Sequence, residues 1–294
     1  MKKMLVPLDG SQASEVILPT AGAIAKACDY EMILFSAWDI GLDAAIHDQE
    51  LGRTLSDRGQ DYLRTYLRGV AKEGEQDGIR CDSRVAVGHP AVEILSAIAG
   101  FGVDLLAMST HGRRAKADGQ RGSVADKVLR ASTVPVLAVG PWALADALPV
   151  VLRRVLVPLD GSAASESGLA LALDLAGSLA AEIVLVNVLP HLFDHYGPGF
   201  PEDYLPDIDR RRQDSATEYL RRLQSQHPQV VRETYVLPGL PQAEIPAFLE
   251  RSPCDLVVMA SRSRYGADLW TVGGVADLMI EGPLPVVIVP PVAV

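Results

Sequence analysis

The sequence predicts an α/β fold that is repeated within one chain of 294 residues. The segment Lys3-Met-Leu-Val-Pro-Leu-Asp-Gly-Ser11 returns as Arg154-Val-Leu-Val-Pro-Leu-Asp-Gly-Ser162, shifted by 151 residues. The same shift aligns Val103-Asp-Leu-Leu-Ala-Met108 with Cys254-Asp-Leu-Val-Val-Met259. A period of this length indicates a duplicated domain, because repeats of about 20–50 residues are single structural units that cannot bury a core alone.

Each half alternates strands and helices in the same order. The apolar runs 4–8 and 155–159 stop at Asp-Gly-Ser, a pattern typical of a strand that ends in a turn before a helix. The second strand of each half is apolar throughout, as expected for a strand covered on both faces by helices. The other predicted elements are helices 14–28, 49–73, 90–99 and 124–130 with strands 32–37, 84–87, 103–108 and 134–139 in the first half, and helices 165–179, 209–226, 241–249 and 275–281 with strands 183–189, 234–237, 254–259 and 285–289 in the second. This alternation predicts two domains, 1–140 and 153–294, each an open five-stranded parallel sheet with helices on both faces, a Rossmann-like fold.

The composition excludes several classes of partner. A formal net charge of −10 repels phosphate backbones and anionic lipids, so we expect neither nucleic-acid binding nor membrane binding. The apolar run at the start ends too soon, at Asp9, for a signal peptide, so we expect a cytoplasmic protein. The three cysteines share no metal-like spacing, and we expect buried free thiols rather than disulfides or a metal site.

The turn after the first strand is one candidate for ligand binding. Ligands of an open parallel sheet bind beyond the carboxyl ends of its strands, where Pro7, Leu8 and Asp9 lie. The Asp9 carboxylate can accept a hydrogen bond from an exocyclic amine or a ribose hydroxyl. Asp and Ser are also ordinary helix-capping residues, so capping of the next helix explains this segment equally well. The repeated residue, Asp160, does not decide between these interpretations.

The loop after the fourth strand is a sharper candidate. Its glycines and basic residues lead into a predicted helix, whose free N–H groups and dipole suit a phosphate group. An exposed glycine-rich surface loop is the alternative, and His111 in the loop could contact either ligand or solvent. Its basic residues are Arg113, Arg114, Lys116 and Arg121, and its candidate ligand contacts are Met108, Ser109, Gly112, Arg121, Gly122, Ser123 and Val124.

These segments resemble the universal stress protein family, whose nucleotide-binding members carry the pattern G-x2-G-x9-G-[S/T]. The resemblance covers both halves nearly end to end and implies a tandem member with the adenine nucleotide alpha hydrolase-like fold. It implies a site for ATP, with Mg²⁺ as the default ion, in which Asp9 and Ala37 flank the adenine and ribose. Gly112, Gly122 and Ser123 would cradle the phosphates. Ser109 replaces the first glycine of the pattern, and this small residue still permits close backbone approach.

The second half departs further from the pattern. Its four motif positions are Ala260, Ser263, Gly273 and Gly274, of which only one fits, and Val272 replaces the basic Arg121. Trp270 adds a bulky ring to the loop, so phosphate affinity should fall. Asp160 and Val188 remain suited to a nucleoside. We therefore expect unequal sites: the first binds ATP, and the second, formed by Asp160, Val188, Gly273 and Gly274, binds weakly or has become structural.

The sequence carries no strong sign of a dedicated enzyme. It shows no catalytic triad order, no HExxH helix and no Walker A lysine, and His191 and His195 lack a third metal ligand nearby. In order of preference, it predicts an ATP-binding stress-response or signalling module, a scaffold that lost its ligand in one or both halves, or a slow ATPase. Because the closing strand commonly makes the dimer contact in the family it resembles, we expect the halves to pair as an intramolecular pseudo-dimer, with homodimerisation of the chain left open.

Overall fold

The chain divides into two compact units, the first built on Met1–Val150 and the second mainly on the chain that follows. The computed structural model describes residues 1–39, 49–113, 121–140, 150–190, 205–261 and 274–290. Within these ranges each half is an α/β domain with a parallel sheet, as the sequence predicts.

The first half contains five parallel strands in the order β3-β2-β1-β4-β5. The order reverses beside β1, which pairs with β2 on one side and with β4 on the other. In such a sheet the crevice at the carboxyl ends of these strands is the place where ligands bind. The described elements are β1 (Lys2–Pro7), α1 (Gln12–Glu15), α2 (Leu18–Cys28), β2 (Tyr30–Trp38), α3 (Gln49–Gln76), β3 (Cys81–Val87), α4 (Pro90–Phe101), β4 (Leu105–Ser109), α5 (Ser123–Ala131) and β5 (Val136–Val139).

The second half repeats this arrangement, with its strands in the order β8-β7-β6-β9-β10. Here β6 takes the central place that β1 has in the first half. The described elements are β6 (Arg154–Pro158), α6 (Ala163–Leu179), β7 (Glu182–Leu189), α7 (Leu205–Gln226), β8 (Val231–Pro238), α8 (Pro241–Arg251), β9 (Leu256–Ala260), α9 (Gly274–Glu281) and β10 (Val286–Val289). The predicted fold class is therefore confirmed in both halves.

The central strands form the core of each sheet. Every residue of β4 is buried, so both of its alternating faces are covered, and four of the five residues of β9 are buried as well. The edge strands β3 and β8 are less buried, and Val87 and Tyr235 are exposed on them. The continuous apolar runs of the sequence thus correspond to strands between two layers of helices.

The predicted helix over 14–28 is interrupted in the first half. Helix α1 ends at Glu15 and α2 begins at Leu18, whereas the equivalent α6 runs unbroken. Pro19 has no N–H with which to bond the carbonyl of Glu15, so one helical hydrogen bond is missing at this point. The second half has no proline there, and Gly168 replaces the buried Ile17, which lets α6 approach the backbone of β9 closely.

In each half, an aspartate just before the fourth strand binds the start of the central strand, at the amino ends of the strands and away from the candidate site. Asp104 Oδ2 accepts a hydrogen bond from Lys3 N at 2.7 Å. Asp255 Oδ2 accepts from Arg153 N at 2.8 Å and from Arg154 N at 2.9 Å. The repeated aspartate before the fourth strand therefore has a structural role that sequence reasoning did not identify.

Candidate functional site

The turn after β1 is shaped by hydrogen bonds between Asp9 and Ser11. Asp9 Oδ1 accepts from Ser11 N at 3.0 Å and from Ser11 Oγ at 2.5 Å, and Gly10 between them has a φ of +79°, which favours glycine. Ser11 Oγ in turn accepts from Ser14 N at 3.2 Å and caps α1. Ser11 is therefore the helix cap, while Asp9 orders the turn and still presents its second carboxylate oxygen.

The Asp9 carboxyl group is ionised at neutral pH. Burial would raise its pKa, but hydrogen bonds from the Arg113 backbone and from Ser11 outweigh burial, so the pKa lies below the ordinary value of 3.8. An ionised carboxylate has no proton to donate and acts only as an acceptor. Asp9 can therefore bind hydrogen-bond donors on a ligand.

The end of β2 lies beside this turn. The register pairs Pro7 with Phe35 and so brings Asp9 level with Ala37, which is half-buried. Ser36, one residue earlier, is buried and donates through Oγ to the carbonyl of Leu8 at 2.5 Å. The predicted nucleoside contacts Leu8, Asp9 and Ala37 thus lie on two neighbouring strand ends.

The two ends of the loop after β4 are joined by a backbone hydrogen bond. Met108 and Ser109 are buried at the end of β4, and Gly122 N donates to Thr110 O at 2.9 Å. This N–H is therefore used within the protein. The backbone N–H groups that remain for a ligand are those of the next residues, Ser123 and Val124, because no side chain caps α5 in the described part of the chain.

The two candidate loops are in direct contact, although their residues lie 104 positions apart. Arg113 N donates to Asp9 Oδ2 at 2.7 Å, and the Arg113 guanidinium donates to the Asp9 carbonyl. An added Cβ on Gly112 would lie only 2.7 Å from Asp9 Oδ2. Sequence reasoning treated these segments separately, and no local pattern indicates the contact.

Two other residues of the loop, His111 and Arg121, have little solvent exposure. His111 is 6% exposed, and its Nδ1 lies 2.8 Å from Thr110 Oγ1, so it is part of the loop's support. The side chain of Arg121 is 10% exposed and lies next to the start of α5. The pKa of Asp126 in the first turn of that helix is lowered, mainly by a hydrogen bond from Arg130 and to a smaller extent by the charge of Arg121.

In the second half, the turn after β6 has the same hydrogen bonds as the turn after β1. Asp160 Oδ1 accepts from Ser162 N at 2.9 Å and from Ser162 Oγ at 2.6 Å, and Ser162 caps α6. Asn187 takes the place of Ser36 and donates to the Leu159 carbonyl at 2.8 Å. Val188 follows it, half-buried, near the end of β7.

The phosphate end of the second half is described only from Gly274, the first residue of α9. The preceding motif residues Ser263, Trp270, Val272 and Gly273 lie outside the described residues, as do His191 and His195. Among the residues that the structure describes, no group of three or more His, Cys, Asp or Glu could hold a metal ion. In the same ranges, no helix combines the length and apolar character that crossing a membrane requires.

All three cysteines are free thiols. Cys254 is buried, but Cys28 and Cys81 are only half-buried, so the predicted burial is wrong for these two. Burial raises the pKa of Cys81 and of Cys254 to about 11, so both are protonated and poorly nucleophilic at neutral pH.

Comparison with known proteins identifies the family of both halves. The model of the universal stress protein family matches residues 1–140 and again residues 152–290. A universal stress protein of Methanocaldococcus jannaschii is 31% identical over 142 residues, covering 47% of this chain and 81% of the relative. One from Bacillus subtilis is 29% identical over 147 residues, covering 47% and 97%.

Solved structures with the same fold extend over the whole chain. A universal stress protein from Archaeoglobus fulgidus superimposes with a TM-score of 0.71 at 20% identity, covering 98% of each chain. A protein of unknown function from Pseudomonas aeruginosa gives a TM-score of 0.70 at 16% identity, covering 99% of this chain and 93% of its own. At such identities the likeness shows the fold alone. Because the family model matches both halves, this chain belongs to the universal stress protein family as a tandem, UspA-like member.

Proposed function

We propose that the first half binds ATP and that the protein acts as a stress-response or signalling module. Bound nucleotide would shift a conformational or partner equilibrium through its differential affinity for two states. The observation that carries this proposal is the contact between the ionised Asp9 turn and the start of the loop that leads to α5. This contact places a hydrogen-bond acceptor suited to a nucleoside against the start of the loop that precedes α5.

The phosphate end of the proposed site is the first turn of α5. A helix start carries roughly half a positive charge, and its first N–H groups lack helical partners. Ser123 is exposed, Val124 is half-buried, and no side chain in the described part of the chain caps this helix. Gly122 precedes them without a side chain. These features fit the phosphates of ATP.

Any Mg²⁺ at this site would be held chiefly by the nucleotide. The described residues contain no cluster of three metal-binding side chains. Mg²⁺ keeps several waters and commonly binds through substrate phosphates rather than through a protein cage. The protein's own contribution would then be to hold the phosphates at the start of α5.

We propose that the second half binds nucleotide more weakly, through Asp160, Val188, Gly273 and Gly274. Its first turn retains the hydrogen bonds of the Asp9 turn. Its motif has Ser263 where the first half has Gly112, and Val272 where the first half has Arg121. A retained nucleoside end with an altered phosphate end favours unequal affinities.

We further propose that the domains extend over 1–140 and 153–294, and that the protein is cytoplasmic. The family matches over nearly the same intervals support these limits. We also propose that the halves pair as an intramolecular pseudo-dimer through the closing strands β5 and β10. The apolar sequences Val-Leu-Ala-Val and Val-Val-Ile-Val of these strands support pairing, because apolar edge strands need a partner.

Calorimetric titration of ATP into the full chain tests the proposed sites. Asp9→Asn keeps the shape of the side chain but removes its charge, and Asp160→Asn is the matched change in the other half. We expect one tight site in the unmodified protein, which Asp9→Asn weakens at least tenfold and Asp160→Asn leaves intact. Loss of the tight site in Asp160→Asn with retention in Asp9→Asn would reverse the assignment. A lack of ATP binding by the unmodified protein would overturn the function itself.

A further inference from the structure

The hydrogen bonds of Asp9 leave its carboxylate with a single acceptor position. Oδ1 accepts two hydrogen bonds from Ser11, and Oδ2 accepts one from Arg113 N. A carboxylate offers about four lone-pair positions. The remaining position therefore belongs to Oδ2, the oxygen that Arg113 holds.

One glycine, Gly112, allows Arg113 to reach this turn. Gly10 gives the turn its left-handed conformation, with a φ of +79°, and an added Cβ there would make only ordinary contact with Arg113 Nη2, at 3.4 Å. An added Cβ on Gly112 would meet Asp9 Oδ2 at 2.7 Å, closer than atoms in contact can approach. We call the set formed by Asp9, Gly10, Gly112 and Arg113 the clasp. It holds the start of the phosphate loop against the nucleoside turn.

We propose that Arg113 is a positioning residue for the nucleoside part of the ligand and not a phosphate ligand. Through the clasp it orients Asp9 Oδ2 to accept one hydrogen bond from a hydroxyl or amine of the nucleoside. The Arg113 guanidinium is directed to the Asp9 carbonyl rather than to the start of α5. This inference rests on the proposed function, because it assigns a role within the same site.

The clasp also supplies a physical reason for the difference between the halves. Ser263 stands where the first half has Gly112. A side chain at that position is incompatible with the clasp as it stands in the first half, since its Cβ would overlap the aspartate oxygen.

Adenosine is the probe that separates positioning from phosphate binding, because it carries no phosphate. We compare Arg113→Ala with Arg114→Ala, a matched loss of one positive charge at the next residue, in the full chain. Arg113→Ala should weaken adenosine and ATP by the same factor, about tenfold, which corresponds to about 1.4 kcal/mol. Arg114→Ala should leave adenosine affinity unchanged. Arg113→Ala that weakens only ATP, or that tightens adenosine, would overturn the proposal.

A measurement without ligand tests the clasp even if the proposed function fails. The pKa of Asp9, followed by carbon NMR of its carboxyl group, should rise toward the ordinary value in Arg113→Ala, because the loop no longer holds its N–H against Oδ2. Arg113→Lys, which can still donate to the Asp9 carbonyl, should restore part of the lowering. If the unmodified protein binds neither adenosine nor ATP, the proposed function is wrong. Independently of that result, an Asp9 pKa that does not change in Arg113→Ala would show that the clasp is wrong.

Discussion

Helix α3 contains two glycines at which the same substitution should have opposite effects on stability. Gly59 is buried and Gly69 is exposed. An added Cβ on Gly59 would lie 2.2–2.5 Å from three atoms of the Trp38 indole, whereas one on Gly69 meets nothing within 4 Å. The pair therefore separates the cost of overpacking from the gain in helix propensity. Trp38 is also next to Ala37, so its packing bears on the candidate site.

The expected magnitudes follow from these distances. Alanine is better than glycine in a helix by about 0.5–1 kcal/mol, so Gly69→Ala should raise the free energy of unfolding by that amount. Carbon atoms make contact at about 3.5–4.0 Å, so Gly59→Ala must displace the indole by about 1 Å or more. Overpacking costs about 1–3 kcal/mol. A rigid ring gives way poorly, and we expect a net loss of about 2 kcal/mol for Gly59→Ala.

Urea unfolding followed by Trp38 fluorescence measures both variants. Replacing Trp142 and Trp270 with Phe in every protein compared makes the signal specific for the first half. The free energies of unfolding of the two variants should differ by about 3 kcal/mol, the sum of a gain at Gly69 and a loss at Gly59. A Gly59→Ala protein as stable as the Gly69→Ala protein would refute the packing of Trp38 against α3.

Three further predictions concern stability. Ser11→Ala and Ser162→Ala each remove a helix cap and should cost about 1 kcal/mol in urea unfolding, and two unchanged curves would contradict the capping geometry. The native pKa of Asp9 is lowered, so its carboxylate stabilises the fold above the unfolded pKa of about 3.9. This stabilisation is lost as the pH falls through the native pKa. In Asp9→Asn, the free energy of unfolding should therefore decrease less steeply as the pH is lowered. Tyr66→Phe removes a 2.7 Å hydrogen bond to Glu15 and should lower the free energy of unfolding by about 1 kcal/mol, and no change in urea would argue against that bond.

The fold was predictable because its signals are local and occur twice. Apolar runs that stop at Asp-Gly-Ser mark strand ends independently of the rest of the chain, and the second copy confirms the reading of the first. Predicted and observed elements agree to within a few residues at their ends. The break between α1 and α2 escaped prediction, because the helical spacing of apolar residues continues through Pro19 and outweighed the proline.

The candidate site was predictable only in its parts. The sequence pointed to Asp9 and to the fourth loop, but the bond from Arg113 to Asp9 joins residues 104 positions apart. Such a contact depends on how β1 and β4 lie side by side, which local patterns do not encode. The hydrogen bond from Gly122 N to Thr110 O likewise depends on the path of the loop.

The most direct test of unequal nucleotide sites is a crystal structure of the full chain with a nonhydrolysable ATP analogue. We predict density for the triphosphate at the first turn of α5, beside Ser123 and Val124, and for the nucleoside beside Asp9 and Ala37. The site of Asp160 should show weaker density or none. Nucleotide bound at Asp160 with none at Asp9 would contradict the claim that the first half holds the stronger site.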